Sequence, residues 1–135
     1  MSDIKHLDDL PFIGKYEPTE GTKNDSEKIR MDLIPYDALW EVGKVLTFGV
    51  NVKEYGERNW EKGITYSRVF GAMMRHATRW FFRFDNDEES RLSHMAHAVT
   101  CGMFLLVYQL RKMKQFDNRP SAQYGTFTEE YWSDL

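Results

Sequence analysis

Cysteine is nearly absent from this chain: Cys101 is the only one in 135 residues. A lone thiol cannot close an internal disulfide, so packing must hold the fold, and a reducing, cytoplasmic setting is expected. Long apolar runs are missing too. The longest candidate, Ala98 to Tyr108, falls short of the roughly 20 residues a membrane-spanning helix needs. The first residues carry no apolar stretch of signal-peptide type, so a secretory leader is not expected. Positive charge is in deficit: 18 basic against 21 acidic residues give a formal net charge of -3. That balance argues against binding along a nucleic-acid backbone, but not against a local basic site for one small polyanion. No Walker loop, no GxGxxG and no HExxH is present, and no Ser/His/Asp order suggests a catalytic triad.

Aromatic residues, by contrast, are plentiful, with nine Phe, seven Tyr and four Trp. They favour a packed domain or a stacking surface over disorder. The length suits one domain with a real core. The pattern reads as an irregular arm over 1–22, a helical domain over 23–113 and a tail over 114–135. Pro11, Gly14, Pro18 and Gly21 punctuate the arm, and the stretch up to Pro35 reads as a loop or short extended piece. Three helices follow. The first is expected from about Tyr36 to Tyr55, with Leu39, Val42, Leu46 and Gly49 on one face. The second runs from about Ser67 to Phe84, with Phe70, Met73, Ala77, Trp80 and Phe84 as its stripe. The third runs from about Ser90 to Lys112 and is apolar over more than one face, so it is expected to lie centrally or at a subunit interface. The fold class is therefore all-α, a bundle-like domain of three principal helices, expected to be a homo-oligomer.

Several polar groups could carry chemistry. His94 and His97 stand three residues apart, close to one helix face. Asp85, Asp87, Glu88 and Glu89 lie just upstream, and an antiparallel turn could bring His76 near. Histidines with carboxylates suit a metal. Equally, acidic residues before a helix cap its amides, and core histidines can simply hydrogen-bond. Lys23, Lys28 and Arg30 could clamp a triphosphate, or form a solvated run with Asp25, Glu27 and Asp32. In the loop Asn59-Trp60-Glu61-Lys62-Gly63, the indole could stack on a base and Asn59 could read a purine edge. The alternative is a Trp that plugs the core while Asn59 shapes the turn. Cys101, mid-helix among apolar residues, reads as packing.

Taken in order, KNDSEKIRMDLIP, VLTFG, KEYGERNWEKG, SRVFGAMMRH and DEESRLSHMAHA resemble the dATP/dGTP diphosphohydrolase N-terminal family, many of whose members are phage-encoded. The similarity covers about Lys23 to Leu110. It implies a helical domain akin to the MazG-type pyrophosphohydrolases, and cleavage of a purine deoxynucleoside triphosphate to the monophosphate and pyrophosphate. The matching polar positions are Lys23, Asp32, Asn59, Trp60, Lys62, Arg75, His76, Asp87, Glu89, Ser93, His94 and His97. Two features depart from the pattern. The paired helical carboxylates with which MazG-type enzymes hold Mg²⁺ have no clean equivalent: Glu41 stands with Asp37 one turn before it, and Glu54 and Glu57 flank a glycine. Arg91 also stands where the family commonly has Gly before its Leu-Ser-His run.

The resemblance thus implies metal-dependent attack of water on the α-phosphorus of dGTP or dATP. Asp87 and Glu89 are expected to bind Mg²⁺, or Mn²⁺ if histidines ligate directly. Glu41, His94 and His97 form the catalytic set. Lys23, Lys28, Arg30, Asn59, Trp60, Lys62, Arg75 and His76 form the substrate-binding set. The partner is a purine nucleotide, with neither nucleic acid nor membrane, in the cytoplasm of the infected host cell if the chain is phage-encoded. The rival reading is a non-catalytic phage protein that sequesters a nucleotide or a nucleotide-derived signal. The missing carboxylate pairs keep it open.

Overall fold

The structure is a computed structural model that describes residues 20–120. Two units divide the chain, Met1–Met31 and Asp32–Leu135. In the first, the described residues form an exposed segment with one turn, where the Lys28 amide donates to the Asp25 carbonyl at 2.9 Å. Most of the expected arm and tail lies outside the described residues.

The three expected helices are present: α1 over Tyr36–Asn51, α2 over Tyr66–Phe81 and α3 over His94–Leu110. Short 3-10 turns occupy Met31–Leu33, Asn59–Lys62 and Lys114–Phe116. Among the described residues there is no strand, only an isolated bridge between Asn86 and Ser93. The all-α class therefore stands.

The helix ends differ from the expected ones, each for a local reason. Pro35 is extended and precedes α1 as its cap, and its carbonyl accepts from the Leu39 amide at 3.2 Å. The helix stops at Asn51, short of Tyr55, because Glu54 (φ 57°) and Gly56 (φ 81°) turn left-handed, a conformation that ends right-handed helices. α2 likewise stops before Phe84, with Arg83 at φ 73°. α3 starts at His94 rather than Ser90, a shift as large as that at the end of α1. Residues 86–93 close on themselves first. The Asp87 amide donates to the Leu92 carbonyl and the Arg91 amide to the Asp87 carbonyl, both at 2.8 Å. Ser93 is the cap, its hydroxyl oxygen accepting from the Met95 and Ala96 amides.

α2 and α3 make the most extensive helix pair, with α1 and the 59–62 turn also against α3. The pair is antiparallel: Tyr66 near the start of α2 stacks on Tyr108 near the end of α3, while His76 near the end of α2 meets His94 at the start of α3. The Tyr66 end holds the core. Tyr108 is fully buried, with Tyr66 and Val69, and Trp60, Ile64, Cys101, Phe104, Met113 and Phe116 pack around them. Gly63 is obligatory there. Its φ is 105°, and a Cβ would lie 2.1 Å from the Phe116 ring.

The apolar girth of α3 does not translate into burial. In the single chain Val99 is 50%, Leu106 53% and Leu110 70% exposed. The expectation placed α3 centrally or at a subunit interface, and within the single chain these positions are left uncovered. With only α1, α2 and one turn available, the unit cannot cover every face of α3. Of the expected α1 stripe, only Val42 is buried and Leu39 is exposed.

Candidate functional site

At the end of the α2–α3 pair opposite the core, three histidines meet. α2 supplies His76; one turn of α3 supplies His94 and His97, as their spacing requires. The Nδ1 atoms of His76 and His94 lie 2.8 Å apart, so one ring donates and the other accepts. The His76 ring stacks on His97, with centroids 4.5 Å apart and planes 9° from parallel. His94 is almost completely buried, the other two partly so.

The closed turn before α3 adds a carboxylate and a hydroxyl. Asp87 Oδ2 accepts from the Ser90 amide at 2.9 Å and lies 3.0 Å from Ser90 Oγ. Ser90 Oγ is in turn 2.7 Å from His97 Nε2, and Asp87 Oδ2 is 3.9 Å from the same nitrogen. His76, Asp87 and His94 can each offer one ligand atom, all within 4.8 Å of one another.

Electrostatics follow from the crowding. Burial, then the neighbouring His97 and His94, push the His76 pKa down to about 4. Burial also lowers His97, against the pull of Asp87. Burial alone would raise Asp87. The hydrogen bonds from the Ser90 amide and hydroxyl, helped by His97 and His76, outweigh it and hold the carboxyl below its ordinary range. At neutral pH the cluster is therefore an ionised carboxylate with His76 and His97 uncharged. That state is ready for a cation or for accepting a proton.

The other expected site residues have the following surroundings. Glu89 pairs with Lys53, tying the turn to the segment after α1. Glu41 pairs with Lys44 at 2.7 Å and lines a shallow groove with Tyr36, Asp37 and Trp40. Neither belongs to the metal-capable group. Trp60 stacks on Phe104 at 4.3 Å, and its carbonyl accepts from the Tyr108 hydroxyl at 2.6 Å. Phe104 is seven residues along α3 from His97, about 10 Å at 1.5 Å per residue. Trp60 thus packs on the core, about two turns of α3 along from the histidines. Asn59, half-buried, and Lys62, exposed, share its 3-10 turn. Arg75 is exposed beside His76 and adds to the lowering of its pKa. Lys23, Lys28 and Arg30 are exposed residues of the first unit. Sequence reasoning missed Ser90 and Lys53. An Asp-x-x-Ser spacing before a helix is a turn signal that could have found the first; Lys53 has none.

The donor set tests which metal could sit here. Two imidazoles and one carboxylate suit a divalent first-row transition-metal ion, Mn²⁺ being the hardest of that class, whereas Mg²⁺ prefers an oxygen set that these three residues do not provide.

Residues 18–119 match the family described as dATP/dGTP diphosphohydrolase, N-terminal. A protein of Salmonella phage PMBT28 named dATP/dGTP diphosphohydrolase is 33% identical over 102 residues, which are 76% of this chain and 34% of the relative. The chain thus spans about a third of that relative's length. No solved structure matches significantly. No helix among the described residues is long and apolar enough to cross a membrane.

Proposed function

This chain belongs to the dATP/dGTP diphosphohydrolase N-terminal family, and on that premise we propose that its histidine–aspartate cluster hydrolyses a purine deoxynucleoside triphosphate to the monophosphate and pyrophosphate. The observation that carries the proposal is the convergence of His76, Asp87, His94 and His97 at one end of the α2–α3 pair. His76, Asp87 and His94 would hold a divalent ion, Mn²⁺ better than Mg²⁺. When bound, it supplies a positive charge to offset charge developing on the phosphoryl oxygens. His97 accepts a proton from water, and the water oxygen bonds to the α-phosphorus. The bond from that phosphorus to the bridging oxygen breaks, and pyrophosphate leaves with the electron pair. Neutral imidazole suits the base, because a depressed pKa keeps it unprotonated at pH 7. Arg75, exposed beside His76, would hold phosphate oxygens.

One observation favours the sequestering alternative: the metal-capable group contains a single carboxylate, while Glu41 and Glu89 are paired with lysines. Self-association is part of the proposed reading too, supported by the exposed Val99, Leu106 and Leu110 on α3. Incubation of the protein with each deoxynucleoside triphosphate and Mn²⁺ or Mg²⁺, with products resolved by chromatography, tests the activity. Monophosphate and pyrophosphate in equal amounts from dGTP or dATP are expected. Bound but intact nucleotide in every mixture would favour sequestration. Sedimentation of the same sample reads the assembly.

A further inference from the structure

Ser90 stands between a carboxylate and an imidazole, and the count of hydrogens decides what it does. Its Oγ lies 3.0 Å from Asp87 Oδ2 and 2.7 Å from His97 Nε2. An ionised carboxylate has no hydrogen to give, so the Asp87 contact uses the one hydroxyl hydrogen Ser90 has. The His97 contact then needs its hydrogen from the ring. We infer that Ser90 is a positioning residue, which takes the charge of Asp87 through its hydroxyl and fixes His97 as the Nε2–H tautomer with a bare Nδ1 facing the reaction. This inference rests on the role proposed above for His97.

Three further observations support it. The Leu92 amide also donates to Ser90 Oγ, at 3.2 Å, so the hydroxyl is held from the backbone as well. The Ser90 amide donates to the same Asp87 oxygen as the hydroxyl, so turn and relay are one structure. No hydrogen bond reaches His97 Nδ1 from the described residues, and no buried side-chain nitrogen or oxygen among them is left unpaired. Nδ1 is therefore reachable by solvent, as a base that takes a proton from water must be. The stacked His76 ring limits rotation of His97 and so keeps Nδ1 in place.

The test joins a spectroscopic readout to kinetics. Nitrogen-15 shifts of the His97 ring at neutral pH distinguish the tautomers in the free protein, without substrate or turnover. The expected parent spectrum shows a protonated Nε2 and an unprotonated Nδ1. Ser90→Ala is expected to mix the two tautomers and lower kcat at least tenfold with KM within twofold. Ser90→Thr, which keeps the hydroxyl, is expected to restore both. A parent His97 protonated on Nδ1 overturns the inference. So does a Ser90→Ala protein with the parent tautomer, or with the parent kcat. If the parent has the expected tautomer but hydrolyses no nucleotide, the proposed reaction fails, and with it the inferred catalytic use of the relay.

Discussion

His76 Nδ1 and His94 Nδ1 meet at 2.8 Å across the α2–α3 seam, a contact that requires at least one of the two nitrogens to be bare. Acid therefore opposes this fold. The His76 pKa is about 4 in the folded chain against an ordinary value of 6.5. The unfolded chain takes up the proton first, so the stability from neutral His76 is fully present above pH 6.5 and is lost as pH falls toward 4. His97, also depressed, acts in the same direction. Urea midpoints should fall between pH 7 and pH 5, and fall less for His76→Asn. Equal falls in both proteins would assign the acid sensitivity elsewhere.

Trp60 belongs to the core, so its removal should act on stability. Trp60→Ala is expected to cost about 3–5 kcal/mol, the range for large aromatic truncations. Tyr108→Phe, which leaves the Trp60 carbonyl without its 2.6 Å donor, should cost about 1–3 kcal/mol. Denaturant unfolding measures both. A Trp60→Phe protein that stays folded should bind nucleotide as the parent does; a large loss of affinity would return the indole to the ligand.

Gly63 and Arg91 make opposite cases of positive φ. Gly63→Ala would strain a backbone at φ 105° and drive a Cβ into Phe116, with an expected cost of about 2–4 kcal/mol. Arg91 sits at φ 62°, a left-handed conformation that glycine adopts without strain. Arg91→Gly should therefore be neutral or stabilising, by up to about 1 kcal/mol, once relief of the left-handed penalty is set against added unfolded-state entropy. Thermal unfolding of the pair checks the contrast, and a clearly destabilised Arg91→Gly would contradict it.

The helices were legible in the sequence because each carries its own apolar period. Their ends were not, because they depend on short-range turns. Asp87 to Leu92 contains residues that could open a helix, yet Asp87 and Ser90 bind each other and delay α3 to His94. Of the site, His94 and His97 were legible from spacing alone, and His76 from an assumed antiparallel return. Nothing local said that Glu89 would pair with Lys53, 36 residues earlier in the chain. Trp60 was ambiguous because the features of a stacking aromatic also suit a core aromatic. Only its partner, Phe104, decides between them.

The central claim is that the cluster around Asp87 performs hydrolysis, and Asp87→Asn tests it most directly. Parent and variant, matched for helix content by circular dichroism, are mixed with dGTP or dATP and Mn²⁺, and bound nucleotide and free pyrophosphate are measured in the same sample. The expected result is pyrophosphate release by the parent, reduced about 100-fold or more in the variant while nucleotide binding persists, because the charge acts chiefly on the transition state. Release at the parent rate by a folded Asp87→Asn protein, or tight binding without release by the parent, would contradict the claim.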